Sequence, residues 1–383
     1  HGLVSVPEGC GIQLDHIEVR ETRTHAHNLP TNTVVRATHE MLEQLSRLKQ
    51  EDLAFVLITG GASALLESPR EHISLQSLVH LTENLSHAGV DIQTLNAIRC
   101  MTSKVKAGGL AKSCTAGKLV VLVLSDVLDD SLAVIGSGPC MPYITEPSII
   151  EKVLLNSNIS ECDRTIISEA ANEYLKEHDT LLHPRTNSGD WVTPKGCEVT
   201  HLTLGTNALA VEAAAVASAA LGYEIYSATT DMQSQTANTT GSRLASSLGV
   251  MASLAETKKY PQSLFEGGEA TVHVPVEHGL GGRNQHTVLA AAHDVLVRQK
   301  REWPACTLVA SFGTDGEDGP TSAAGGFIDS DIAKSLGCQP KSITEAISRC
   351  NSHQLLKSAG GLIETGPTGT NVADIRIVLT HPQ

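Results

Sequence analysis

Two stretches decide the reading: GGEATVHVPVEHGLGGRNQ, from Gly267 to Gln285, and SFGTDGEDGPTSAAGG, from Ser311 to Gly326. In the first, apolar and polar residues alternate from Thr271 to Val276, which predicts a strand. It runs into the glycine loop Gly279 to Gly282, which presents Arg283, Asn284 and Gln285, and then into an apolar helix over Thr287 to Val297. The second begins within a buried strand, Thr307 to Ser311, that ends in a loop carrying Asp315, Glu317 and Asp318 between glycines. One loop offers a guanidinium and two amides, and the other offers carboxylates beside bare backbone. Brought together, they suit a phosphorylated anion and its metal ion.

The same alternation of strand, turn and helix extends through the chain. Thr33 to Leu48, Leu75 to Ala88 and Asp91 to Ala97 read as helices, and Leu53 to Thr59 and Leu119 to Leu124 as strands. This punctuation predicts a parallel sheet with helices on its faces. Thr180 to Gly196, with Pro184, Gly189, Pro194 and Gly196, reads as a linker. A new unit then follows: strand Val199 to Leu204, helix Asn207 to Leu221, strand Glu224 to Ala228 and a helix to about Ala255. The expectation is two domains, residues 1–196 and 197–383.

Composition narrows the class. With 28 basic and 42 acidic residues the net charge is −14, against a nucleic-acid binder. The hydrophobic fraction of 41% suffices for packed cores. No apolar run is long enough to span a bilayer. Nine cysteines show no pairing or metal-ligand spacing, which indicates reduced thiols and a cytoplasmic setting. The chain begins at His1, and a targeting peptide upstream would leave a mitochondrial location open.

Several constellations could carry chemistry. Gly60-Gly61-Ala62-Ser63 joins a strand to a helix, so its amides and hydroxyl could meet an anion, or the glycines could serve tight packing alone. Arg99, Lys104 and Lys106 precede Gly108-Gly109, with Lys112 and Lys118 beyond, and the competing reading is a solvated face. Asp126 and Asp130 follow a buried strand, and Gly136-Ser137-Gly138-Pro139 comes soon after. An Asp there holds Mg²⁺ or simply caps a turn. His25 and His27 read as surface residues in a loop, and no transition metal is assigned.

Taken together, these motifs resemble the D-glycerate 2-kinases of the MOFRL type, including their animal form. The resemblance runs from His1 onward. It rests on Leu57 to Leu66, Asn96-Ala97-Ile98-Arg99, Leu124-Ser125-Asp126-Val127, Ser137-Gly138-Pro139, Gly267-Gly268-Glu269, Gly281 to Gln285, Gly313 to Gly316, Asp318 to Thr321 and Thr368 to Val372. It implies an α/β architecture: a Rossmann-like, three-layer, parallel-sheet N-terminal domain, a smaller α/β C-terminal domain with the MOFRL region at about 264–380, and an active-site cleft between them. It implies ATP and Mg²⁺, with D-glycerate as substrate, no nucleic acid or membrane partner, and a homodimer left open. Lys106, Arg283 and Asp126 become the catalytic candidates, with Asp126 as base. Asp315 and Asp318 become the metal candidates. Gly60, Gly61, Ser63, Asn96, Arg99, Ser137, Gly138, Asn207, Glu269, Asn284, Gln285, Thr370 and Asn371 become candidates for substrate or nucleotide binding.

The chain departs from the family pattern at several points. Ala62 replaces a glycine, and its methyl is expected to crowd a phosphate. His286 stands where an acid usually follows Arg-Asn-Gln, Asn351 replaces a second acid, and His27 to Asn32 replaces a His-Pro-x-Pro-Asp stretch. Family members carry a further N-terminal segment with a lysine. Relative to it this chain reads as truncated, and a sheet edge or a helix-covered face is expected to be left open around Leu53 to Thr59. Two rivals stand beside the kinase reading. One is an impaired fragment or paralogue that acts as a binding protein. The other is a nicotinamide-linked oxidoreductase, against which stands the lack of a Gly-x-Gly-x-x-Gly after a strand.

Overall fold

A computed structural model of the chain describes residues 1–24, 29–59, 61–143, 145–156, 158–178, 190–230 and 235–383. His25, His27, Asn28, Gly60 and residues 180–189 of the expected linker lie outside the described residues. The chain divides into two compact units. Unit 1 is His1–Leu124 with Asp130–Leu204, and unit 2 is Ser125–Asp129 with Gly205–Gln383.

Unit 1 opens with a parallel pair, β1 (Gly2–Pro7) and β2 (Ile17–Arg23). Then come α1 (Asn32–Ser46), β3 (Leu53–Ile58), α2 (Ala62–Leu65), α3 (Leu75–His87), α4 (Ile92–Thr102), α5 (Gly109–Ser113) and β4 (Lys118–Leu124). After them follow α6 (Pro147–Leu154), α7 (Glu161–His178), β5 (Trp191–Val192) and β6 (Glu198–Gly205). Helix starts follow side-chain caps. Thr31, Ser74 and Asp91 accept the N–H groups of Val34, Ser77 and Thr94 and so open α1, α3 and α4. The apolar stripes of α3, α4, α6 and α7 meet around Leu81, Leu85, Met101, Ile167 and Tyr174.

The sheet of unit 1 runs β3-β4-β6-β5, with β3 and β4 parallel and β5 and β6 antiparallel. The expected boundary at 196/197 therefore falls inside this unit. β6 extends the sheet beside β4, and Trp191 Nε1 donates to the Cys140 carbonyl at 2.9 Å, fixing β5 to the same unit. The β3 run LAFVLI is uniformly apolar, but only one face is covered. Ala54 and Ile58 are buried, while Leu53, Phe55 and Leu57 are 52%, 57% and 69% exposed.

Unit 2 contains α8 (Asn207–Ala220), β7 (Glu224–Thr230), α9 (Ala237–Lys258), β8 (Gln262–Gly268), α10 (Arg283–Ala292), β9 (Thr307–Gly313) and β10 (Gly325–Asp329). It ends with α11 (Ser330–Gly337), α12 (Pro340–Ser348), α13 (Ser352–Ala359), β11 (Leu362–Ile363) and β12 (Asp374–Thr380). Its six strands run β11-β10-β9-β12-β8-β7, antiparallel except for β7 with β8. Strand alternation sends neighbouring residues to opposite faces. Leu264 and Val378 join the core made by α9 and α10, while Phe265 and Ile377 pack with Val211 of α8.

The strand expected at Thr271–Val276 does not form. The strand is β8, just before it, and every β8 residue is buried because it lies between β12 and β7 with helices on both faces. Among the described residues, the later segment makes one isolated bridge, Thr236 with Thr271, and leaves Val274 and Val276 exposed. Pro275, which lacks a ladder donor, lies between those two valines. Across β8 and β12, Glu266 faces Arg376 in register and accepts Arg376 Nη1 at 2.7 Å. Arg243 of α9 donates to the same carboxylate. Burial disfavours the charge, yet the two guanidiniums hold Glu266 below its ordinary pKa.

His286 lies buried between α10 and α9, with Nε2 at 3.0 Å from Asn238 Oδ1. Desolvation pushes its pKa down to about 4. The unfolded chain then binds a proton near pH 6.5 that the native state refuses until about 4, so His286 costs stability as pH falls through that window. Wild-type unfolding free energy should fall between pH 6.5 and 4 by roughly 3 kcal/mol more than that of His286→Asn. Denaturant titrations across that range check this, and parallel curves would contradict it.

Candidate active site

Helix α10 organises the polar cluster of unit 2. Its first turn would leave backbone N–H groups without acceptors. Asp318 supplies them. Oδ1 accepts the Asn284 N–H and Oδ2 the Gln285 N–H, each at 2.9 Å, and the Gln285 side chain donates to Oδ2 at 2.9 Å. Asn284 and Gln285 are 1% and 0% exposed. Asn284 Oδ1 receives the Ser311 hydroxyl, and Gln285 Oε1 lies 3.0 Å from His353 Nδ1. Burial pushes the Asp318 carboxyl up, and the N–H donors pull it back in part. Gly282 is glycine for the same reason, since a Cβ there would sit 2.2 Å from the Asp318 carboxyl carbon.

This clamp fixes Arg283, the first residue of α10. Its Nε and Nη2 donate to the two oxygens of Asp374 at 2.7 and 2.8 Å, and Nη1 donates to Glu269 at 2.6 Å. Burial opposes the charge, but Asp374 and Glu269 keep the guanidinium firmly protonated. Two of its five N–H donors are not used by these carboxylates, and its side chain is 35% exposed. Glu269 is pushed up, first by desolvation and then by Asp374, Asp126 and Asp315, with Arg283 opposing. Burial also pushes Asp126 up. One guanidinium thus sits among four carboxylates, an arrangement that calls for a further cation.

Asp315 Oδ1 accepts the Glu317 N–H at 3.0 Å. The Thr368-Gly369-Thr370-Asn371 loop is tied to that turn. Thr368 Oγ1 donates to the Thr314 carbonyl at 2.6 Å, and the Thr368 N–H donates to the Asp315 carbonyl at 3.0 Å. Thr370 is exposed and Asn371 half-buried, its Oδ1 accepting the Ala373 N–H. Among the described residues, no group of three or more His, Cys, Asp or Glu converges as a closed metal site. Mg²⁺ needs none, because it takes one or two carboxylates and completes its shell with water and substrate phosphate. The hard oxygens of Asp315 fit that demand, whereas both oxygens of Asp318 serve as helix cap.

Unit 1 holds a second cluster. Ser63 and Ser137 share a hydroxyl contact of 3.0 Å. Gly136, Ser137 and Gly138 all have left-handed backbone, with φ of 60°, 63° and 61°. A Cβ at Gly136 would lie 3.0 Å from the Ala62 methyl, so that methyl is directed at Gly136. Lys106 is 3% exposed; its Nζ donates to the Ser63 carbonyl at 3.1 Å and pairs with Glu67. Arg99 lies half-buried with Nη1 3.4 Å from Asn96 Oδ1, and desolvation pulls its pKa down. Helix α2 is a single turn of four residues that opens at Gly61. The dipole at the start of so short a helix is small.

The family described as a domain of unknown function, DUF4147, matches residues 1–170, and the MOFRL family matches residues 262–374. A Pyrococcus horikoshii protein named glycerate 2-kinase is 33% identical over 99% of this chain and 81% of its own length. The chain belongs to the glycerate kinase family. A bovine glycerate kinase is 30% identical over all of this chain and 80% of its own length. A crystal structure of glycerate kinase from Thermotoga maritima is 31% identical, with a TM-score of 0.78 over 99% of this chain and 84% of that one.

Within this glycerate kinase fold, five candidates stand otherwise than their motifs suggested. Asn284, Gln285 and Asp318 are consumed by one another at the start of α10. Asn207, also buried, donates to the Val372 and Asp374 carbonyls at 2.8 and 2.9 Å and so anchors α8 to β12. Lys106 is locked in its pair with Glu67. Two partners went unnoticed in the sequence, Asp374 and Glu67. Each lies just past a quoted motif, and each is an acid bordered by residues that read as core, which requires a cation nearby.

Asp318→Asn separates cap from metal ligand. An amide keeps one acceptor oxygen but loses the charge and the second acceptor. We expect a loss of about 3 kcal/mol in unfolding free energy with an unchanged Mg²⁺ titration of any residual activity. A shifted Mg²⁺ requirement at full stability would contradict the cap.

Proposed function

We propose that this chain transfers the γ-phosphoryl group of ATP to the 2-hydroxyl of D-glycerate, giving 2-phosphoglycerate and ADP. The observation that carries this reading is the 33% identity, along nearly the whole chain, to a protein named glycerate 2-kinase. Phosphoryl transfer asks mainly for positioning and charge neutralisation. Arg283 suits this, because Asp374 and Glu269 fix three of its donors and leave two for phosphoryl oxygens or the substrate carboxylate. Asp126, held above its ordinary carboxylate pKa by burial, accepts the 2-hydroxyl proton as the new P–O bond forms and the bond to ADP breaks. Asp315 would hold Mg²⁺, which would supply charge neutralisation on the phosphates. In unit 1, Ser63, Asn96 and Arg99 are the side chains we assign to substrate oxygens. The domain division we adopt is that of the two compact units.

Incubation with ATP and D-glycerate, followed by phosphorus NMR, tests the reading. 2-Phosphoglycerate is expected. 3-Phosphoglycerate, or ADP and free phosphate alone, would overturn it. Arg283→Lys should lower kcat/KM roughly 100-fold, because a point charge cannot replace the fork. Asp315→Asn should raise the Mg²⁺ needed for half-maximal rate about tenfold while leaving the melting temperature within a degree or two. An unchanged Mg²⁺ titration would remove Asp315 from the metal site.

A further inference from the structure

Unit 1 buries a charge pair that its core does not require for packing. Glu67 and Lys106 are 2% and 3% exposed, and Lys106 Nζ donates to Glu67 Oε2. The backbone on either side brings them together. The Lys104 N–H donates to the Ser68 carbonyl at 2.7 Å and the Arg70 N–H to the Thr102 carbonyl at 3.0 Å, with an isolated bridge between Pro69 and Ser103. Glu67 itself is held further: its Oε1 accepts the Ser68 N–H at 2.9 Å, and its own N–H donates to Thr38 Oγ1 at 3.1 Å. Two charges withdrawn from water in this way stabilise a fold little more than a pair of apolar side chains of similar volume would. What apolar side chains cannot supply is a hydrogen-bond donor in the core.

That donor is used at the Gly61–Ser63 turn. Helix α2 has four residues, too few to give most of its own carbonyls a donor along the helix. Lys106 Nζ serves one of them, the Ser63 carbonyl, at 3.1 Å. The Lys106 backbone borders the second hydroxyl-bearing turn. The Ala107 N–H donates to the Ser137 carbonyl at 3.1 Å, and the Gly108 N–H to the Gly138 carbonyl at 2.7 Å. Ala107 and Ser137 are left-handed without being glycine, with φ of 50° and 63°, a conformation that persists only where the surroundings impose it. Lys106 therefore joins the two turns whose hydroxyls, on Ser63 and Ser137, meet at 3.0 Å. Ser137 is fully buried and Ser63 half-buried, so Ser63 is the hydroxyl of the pair that a ligand can reach.

We propose that Glu67 is a positioning residue for substrate binding: by neutralising Lys106 in the core of unit 1 it holds the Ser63 carbonyl, and with it the Ser63 hydroxyl, where an oxygen of D-glycerate is received. Glu67 does not touch the substrate. It acts through Lys106 on the turn that does, and removing its charge releases that turn while the rest of the fold stays in place. This rests on the kinase reading and on the assignment of Ser63 to substrate oxygens made under it.

The test measures D-glycerate binding by calorimetry, steady-state kinetics and melting temperature on the full chain. The variants are Glu67→Gln, Glu67→Gln/Lys106→Met and Ser63→Ala, with the triple combination. Glu67→Gln leaves a buried ammonium without its counter-charge and is expected to lose stability, whereas the double variant removes both charges and keeps the fold. In the double variant we expect Kd and KM for D-glycerate to rise about tenfold, with KM for ATP within about twofold of wild type, a split that a general loss of structure would not give. Added to Ser63→Ala, the same pair of substitutions should weaken D-glycerate binding by less than about twofold more, because the pair acts through that hydroxyl. A folded double variant that binds D-glycerate as tightly as wild type overturns the proposal, and so does a fully additive loss in the Ser63→Ala background. Wild type that binds D-glycerate but forms no 2-phosphoglycerate counts against the kinase reading alone, and the binding comparison still decides the role of Glu67. Wild type that binds no D-glycerate overturns both.

Discussion

The carboxylate of Asp318 at the start of α10 is the constraint on which the rest of unit 2 depends. A helix N-terminus is a natural anion site, and here the protein fills it with its own anion. The two oxygens take the first available N–H groups of α10 and the Gln285 side chain. That fixes the axial position and rotation of the helix. Arg283 at its first position is then aimed at Asp374, the first residue of β12. The cap, the arginine and the central strands are therefore one mechanical unit, and Gly282 of the preceding loop is glycine because Asp318 comes so close.

The electrostatic consequence is a site short of positive charge. Asp374 and Glu269 orient Arg283 but also absorb it, and Asp126 and Asp315 add to the negative field around Glu269. A phosphate entering such a place is repelled unless a cation accompanies it. Under the proposed kinase function this would be a physical reason for a divalent ion to accompany the phosphate, and it arises from the count of carboxylates without any closed metal cage among the described residues. The same balance keeps Arg283 oriented with two donors to spare.

Much of the architecture was legible in the sequence, because it rests on local rules. Caps at Thr31, Ser74 and Asp91, the apolar runs of β3, β4 and β9, and the periodicity of α10 each mark their elements. The misread strand at Thr271–Val276 shows the limit. Alternation there was as regular as in any strand, but the ladder position between β12 and β7 belongs to the more uniformly buried β8. Site residues were harder to read. Arg283 was legible by its loop, whereas the roles of Asn284, Gln285 and Asp318 depend on two loops 34 residues apart meeting. No spacing rule reveals whether a carboxylate meets a metal or a helix end. Asp374 and Glu67 escaped notice because a lone acid beside a motif carries no pattern of its own.

The central claim is that the N-terminus of α10 is closed by Asp318 and is not available to a ligand. Native-state hydrogen exchange of the Asn284 and Gln285 backbone amides in the ligand-free wild type tests it most directly. Those positions have no acceptor within their own helix, so protection there can come only from outside it. The account predicts that both amides exchange as slowly as the buried core of α10, through global unfolding. Rapid exchange at both, at the rate of an open helix end, would contradict it.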